Sequence, residues 1–199
     1  HRRGLPGVGA GIHPGGQQMR AGGAKSKGNA LENTLAKELS LWLTHGEHND
    51  VLERSPASGG KATTARQKNI QADHIAGDLI ATTDAGYVLI NRFVIEAKHQ
   101  NEVNININGL VFGTSKGGVI SYWIKLLGEC DATQKLPMLI FRQNNRPAMM
   151  GLCKEGIDLF KLNHQTHAVF KIGKKSMFLL AYALFLQHAD PTVLLENLK

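Results

Sequence analysis

Asp78, Glu96 and Lys98 are the residues of this sequence whose types and spacing best suggest chemistry. Two carboxylates brought to one point offer hard oxygen ligands to a divalent cation, with water filling the remaining octahedral positions. An ammonium beside them can orient an attacking water and stabilise charge developing on phosphorane oxygens. The reaction that uses such a set is hydrolysis of a phosphodiester with Mg²⁺, which lowers the pKa of bound water and neutralises phosphate; Mn²⁺ is the expected substitute. The order of residues supports the convergence. Leu79 to Thr82 reads as a strand opened by Asp78, Thr83-Asp84-Ala85-Gly86 as a turn, and Tyr87 to Lys98 as a longer strand in which Phe93, Val94 and Ile95 favour β structure. A turn there would lay the two strands side by side. Within the second strand a period of two puts Val94, Glu96 and Lys98 on one face and Phe93, Ile95 and Ala97 on the other.

Each residue taken singly also has an ordinary reading. An Asp after Gly is commonly a turn or strand-end residue, and Glu-x-Lys at strand spacing is commonly a solvated face. Glu32, beside the apolar stripe of the first helix, could supply a further carboxylate to the site through water or be a helix-surface acid. Context favours the functional reading, because Glu96 follows three bulky apolar residues where a solvated strand would already have alternated. His99 is open between ligand or proton carrier and a structural role. Asp73 rivals Asp78 as the first acid but lacks a β-rich run after it.

Several elements must hold these groups. Leu31, Leu35, Leu39 and Trp42 or Leu43 recur at helical spacing from Asn29 to near Gly46. A short strand at Val51 to Arg54 follows, then a Ser/Gly/Thr loop from Ser55 to Thr64, with Lys61, Arg66 and Lys68 making this region cationic. Asn91-Arg92 marks a bulge or break, and Gly117-Gly118 a turn. A second helix is expected over 119–130, with Tyr122 and Trp123 on its apolar stripe and hence in the core. Leu136 to Phe141 reads as a buried strand, Ala148 to Cys153 as a strand pairing back after Asn144 to Pro147, and Ala168 to Ile172 as another. Met177 to Leu186, the most apolar stretch, reads as a buried helix, too short for a membrane span.

At 199 residues the chain is expected to hold one domain with a full core, over 28–199. Residues 1–27, rich in Gly and without an apolar face, read as a disordered basic arm. Met19 begins a natural-looking segment, which leaves residues 1–18 open to being upstream-derived, and no apolar signal region is seen. Net charge is +7, but +5 of it lies in residues 1–30, so charge alone is modest support for a nucleic-acid partner. Cys130 and Cys153 have neither disulfide-framework nor zinc-site spacing, which fits a reducing cytoplasm.

The runs GDLIA at 77–81 and FVIEAKH at 93–99 resemble the signature of the PD-(D/E)xK nuclease superfamily, with Asp78 as first acid and Glu96-Ala97-Lys98 as the (D/E)xK. Lys27 to Glu32 is similar to the helix that begins many members. Glu53 to Gly60, ERSPASGG, resembles the strand and serine loop of archaeal Holliday junction resolvases, and the order of motifs through PMLIF at 137–141 resembles small phage and prophage nucleases. The resemblance covers roughly residues 27–145. It implies a restriction-endonuclease-like α/β fold, an αβββαβ core with a central mixed sheet flanked by helices. It also implies metal ligation by Asp78, Glu96 and the Ala97 carbonyl, Lys98 as catalytic lysine, Glu32 as accessory acid and Ser58 as a phosphate contact. Arg54, Lys61, Arg66 and Lys68 become expected DNA contacts beside such a site. The sequence departs from the pattern in having Gly77 where a Pro often stands and in the 13 residues from Lys61 to Asp73. The expected activity is cleavage of DNA, with branched DNA favoured, by a homodimer whose interface Phe178 to Leu186 could supply or instead use to close the core. Another nuclease of the superfamily or a degenerate DNA-binding module is the alternative, and RNA stays open as a substrate.

Overall fold

In the computed structural model, which describes residues 22–56, 76–100, 118–172 and 175–195, helix α1 spans Gly22–Leu43. Its stripe of Leu31, Leu35, Leu39 and Trp42 is buried, as the spacing predicts. The helix begins at Gly22 rather than Asn29 and so takes in the end of the expected arm. A helix nucleated by a packed stripe extends at little cost. Ser58, Lys61, Arg66, Lys68 and the rival acid Asp73 lie outside the described residues.

Two polar side chains fasten α1 to the rest. Ser40, fully buried, donates to the Ala36 carbonyl at 2.7 Å and accepts the Leu52 N–H at 2.9 Å, so β1 (Leu52–Arg54) starts with its backbone donor satisfied. Trp42 donates its indole N–H to the Ala189 carbonyl at 2.8 Å and packs against Phe160 and Phe185. Phe160 in turn stacks on Phe93.

Strand β2 (Leu79–Ala81) pairs antiparallel with β1, with Leu52 opposite Ala81. The expected hairpin between 79–82 and 87–98 does not form. Asp84–Ile90 is a helix, α2, and the next strand, β3, spans Phe93–Gln100. Leu89 and Ile90 are buried in the α1-side core, and that tertiary burial overrides the β preference of their run. Gly86 serves α2 packing and not a hairpin turn, since a Cβ there would lie 2.1 Å from the Val51 carbonyl oxygen. Asn91-Arg92 is the break between α2 and β3.

β3 runs parallel to β4 (Leu136–Gln143) in unbroken register from Phe93↔Leu136 to Gln100↔Gln143. The connection carries α3 (Gly118–Thr133). β5 (Met149–Leu152) pairs back on β4, followed by α4 (Lys154–Leu159), the edge strand β6 (Ala168–Ile172) and β7 (Lys175–Ala181). The five-stranded mixed sheet has the order β3-β4-β5-β7-β6. The single helix expected over Met177 to Leu186 is instead the end of β7 followed by helix α5 (Tyr182–His188). Met177, Leu180 and Phe185 are fully buried, so these side chains of the segment close the core. A continuous apolar run suits a strand covered on both faces as well as it suits a helix.

Two cores flank the sheet. One joins α1, β1, β2, α2, α4 and α5 to Phe93, Ile95 and Ala97. The other joins α3, through Val119, Ile120, Trp123 and Leu126, to Val94, Leu139 and Phe141. Among the described residues no helix is long and apolar enough to cross a membrane. Because Gly86 lets α2 touch β1 at backbone distance, Gly86→Ala should destabilise the protein by about 1–3 kcal/mol, the usual cost of overpacking. A urea titration would check this, and an unchanged midpoint would refute the close-approach role.

Candidate active site

Gly77 approaches the outer edge of β3 at φ +90°, where a Cβ would lie 2.6 Å from the Ile95 carbonyl oxygen. Only glycine tolerates both the dihedral and the contact. Proline, with φ fixed near about −65°, could not occupy this position, which accounts for the departure from the usual motif. Asp78 is then clamped. Its N–H donates to Ile95 O at 2.7 Å, and its carbonyl accepts the Ser55 N–H at 2.8 Å. Its carboxylate Oδ2 accepts the Ala97 N–H at 2.8 Å. The backbone of one residue thereby joins the β1–β2 ladder to the main sheet, while its side chain is aimed at the end of β3.

Along β3, Phe93, Ile95 and Ala97 enter the α1-side core and Val94 the α3-side core, the alternation expected from the sequence. Glu96 and Lys98 follow Val94 on the α3 side. The Lys98 ammonium pairs with Glu96, stands 3.4 Å from Asp78 Oδ2 and donates to the Ala97 carbonyl at 3.0 Å. One cationic nitrogen thus touches both carboxylates and the carbonyl expected as ligands. Burial, reinforced by the neighbouring Asp78 charge, raises the Glu96 pKa above its ordinary value despite Lys98. Burial works against the Lys98 charge, but Glu96 and then Asp78 outweigh it and hold the ammonium pKa above its ordinary value.

These residues fit a divalent cation. The donors are hard oxygens, and among the described residues the two buried carboxylates share a single ammonium, a balance that leaves negative charge for a cation to relieve where desolvation makes it costly. Asp78, Glu96 and the Ala97 carbonyl would hold the ion.

Glu32 is brought to a different partner. Buried on α1, it is ion-paired with Arg54, the expected DNA contact at the end of β1. Among the described residues no three acidic, His or Cys side chains gather as a metal cluster. His99 bridges elements, with Nδ1 3.3 Å from the Lys27 carbonyl and Nε2 3.0 Å from Asn144 Oδ1. Cys130 and Cys153 are free and buried, and burial pushes their thiols up to about 12 and about 11, so neither is poised as a nucleophile.

Two further residues touch the site. Tyr122 of α3, expected in the core, is half-buried with its ring centroid 5.8 Å from Lys98 Nζ. Gln100 donates to the Tyr122 hydroxyl. Gln100 continues the Glu96-Lys98 alternation by one step, a signal present in the sequence. Tyr122 carries a phenol hydroxyl, a polar tip that commonly needs a partner.

A mixed sheet flanked by helices, with an acid clamped against the edge of a strand ending Glu-x-Lys, defines the restriction-endonuclease-like class. The chain belongs to the family described as phage putative PDDEXK endonuclease, whose model matches residues 23–185. Nucleases of the PD-(D/E)xK kind generally use divalent metals. No curated protein and no solved structure gives a significant match.

The raised Glu96 pKa has a consequence for stability. The folded state holds this proton more tightly than the unfolded chain, so its contribution is complete below the ordinary value of 4.5 and is lost as pH rises through the folded value. In chelator, the stability of Glu96→Gln relative to wild type should therefore increase as pH rises above 4.5 and then level off. Denaturant midpoints of the two proteins across the acid-to-neutral range would check this, and parallel profiles would refute it.

Proposed function

We propose that this protein is a DNA endonuclease that hydrolyses phosphodiester bonds at Asp78, Glu96, the Ala97 carbonyl and Lys98, with Mg²⁺ as cofactor and Mn²⁺ as its substitute. The observation that carries the reading is the convergence of those three oxygen donors on one ammonium at the half-buried end of β3. Bound there, the ion supplies Lewis acidity toward phosphate and a more acidic water. Asp78 and Glu96 fix the donor positions through the backbone clamp and the strand. Lys98 orients the attacking water with its ammonium and stabilises the charge that builds on the phosphoryl oxygens as the P–O bond to the leaving group breaks. Glu32 is the accessory acid, its charge balanced by Arg54. Ser58, Lys61, Arg66 and Lys68, with Arg54, are the proposed phosphate contacts, in keeping with the weight of backbone contacts in DNA affinity.

The finer reading is a preference for branched DNA, supported by the similarity of Glu53 to Gly60 to the serine loop of junction resolvases. Paired cuts in a two-fold branched substrate would suit a homodimer. The test is incubation with a four-way junction, a linear duplex and single-stranded DNA in Mg²⁺ or Mn²⁺, with chelator controls. Cleavage should be metal-dependent, and Lys98→Ala and Glu96→Ala should each lower its rate by at least about 100-fold with DNA binding retained. Paired symmetric nicks confined to the junction would support the branched-DNA preference; equal cutting of all substrates would remove it. No metal-dependent cutting at all would refute the nuclease reading in favour of a DNA-binding module.

A further inference from the structure

We propose that Tyr122 is a positioning residue for Lys98: its ring face holds the ammonium at the site, and Gln100 fixes the ring through the phenol. The inference rests on the nuclease reading for its functional meaning, but its geometry stands apart from it. Lys98 Nζ lies 5.8 Å from the Tyr122 ring centroid, within the range at which an aromatic quadrupole attracts a cation. The contact is built from two elements. Lys98 is on the β3 face covered by α3, and Tyr122 projects from α3 toward it. The phenol does not point into bulk water; it accepts the Gln100 side-chain N–H from the same strand face, two residues beyond Lys98. Ring, hydroxyl and strand therefore form a closed loop of contacts around the ammonium.

The need for such a holder follows from charge. Asp78 and Glu96 are the ammonium's anionic partners, and carboxylates engaged with a divalent ion would attract an ammonium far less and resist its displacement less strongly. The Ala97 carbonyl would be engaged by the same ion. Of the described groups that surround the Lys98 nitrogen, the aromatic face is the one that cannot ligate a hard cation. A long, flexible side chain without that face would spread over rotamers and lose its alignment with the attacking water.

The full chain labelled with ¹³C at the lysine ε carbon tests this, with the Lys98 signal assigned by its disappearance in Lys98→Arg. In wild type and Tyr122→Phe the Lys98 Hε signal should be shifted upfield by the ring; in Tyr122→Leu and Tyr122→Met it should return to the position of ordinary lysines. On duplex DNA with Mg²⁺, Tyr122→Leu should lower kcat on the order of 10-fold with KM unchanged, the size expected for losing one cation–π contact. Tyr122→Phe and Gln100→Ala each keep the ring but remove the Gln100–phenol hydrogen bond, so both should fall between wild type and Tyr122→Leu. Tyr122→Met keeps the apolar contact of this half-buried position and serves if the leucine variant folds poorly. A Lys98 signal identical in wild type and the ring-deleted variants would overturn the proposal, as would an unaltered kcat or a Tyr122→Phe loss equal to that of Tyr122→Leu. If wild type cuts no DNA, the nuclease reading fails alone and the Hε shift still decides the contact.

Discussion

The approach of Gly77-Asp78 to the edge of β3 is the contact on which the rest of the site depends. At that point the chain leaves no room for a Cβ, and the Asp78 backbone donates to β3 while accepting from Ser55 after β1. Because these are buried backbone groups, leaving either unpaired would cost about 1–3 kcal/mol, so the approach is strongly enforced. Its result is that a carboxylate from a short, separate ladder is delivered to the end of the main sheet with its orientation already set by the Ala97 N–H. The chemistry-bearing pair therefore does not rely on a hairpin; it relies on one glycine and three hydrogen bonds.

Charge explains why the arrangement is poised for a cation and not simply stable. Asp78 and Glu96 are both buried, and burial together with the neighbouring Asp78 charge raises the pKa of Glu96. Lys98 compensates one unit of charge and is itself held protonated by the pair. A fully neutralised ion-pair network would have been the quieter solution for folding; among the described residues, two acids with one base leave a net charge that a divalent cation would relieve. Glu32 does not add to that deficit, since Arg54 balances it locally.

Much of this was legible in the sequence because it depends on strict periodicities. The α1 stripe, the alternation along Phe93 to Lys98 and the buried strand after Leu136 follow from spacing alone, and each is found. The connection between Asp78 and Glu96 reads as a hairpin because Asp84-Ala85-Gly86 carries turn chemistry, whereas Gly86 is required by the contact of α2 with the Val51 carbonyl, which no local pattern announces. Likewise Met177 to Leu186 is apolar throughout and lacks a period that separates a two-sided strand from a buried helix. Its division between β7 and α5 is settled by the antiparallel partner β5. The spacing of Tyr122 fits the stripe of α3 and so points to the core; its neighbour Trp123 is indeed fully buried, but one residue's rotation about the helix, about 100°, carries Tyr122 to the rim.

That rim position points to a more general feature of β3. The strand is buried from Phe93 to Ala97 and only half-buried from Lys98 to Gln100. Its first half is fixed by two cores, so the backbone at Glu96 and Ala97 inherits the rigidity of packed Phe93, Val94 and Ile95, while its second half opens toward solvent. Groups placed at this transition gain the strong electrostatics of a low-dielectric wall without being sealed from a polymer substrate. Further inward, Glu96 and Lys98 would be held but unreachable; further outward, water would screen them and the side chains would lose their order. The Glu-x-Lys run thus stands at the point where the core ends, which is the structural condition for the chemistry proposed for it, and Tyr122 of α3 borders the same rim.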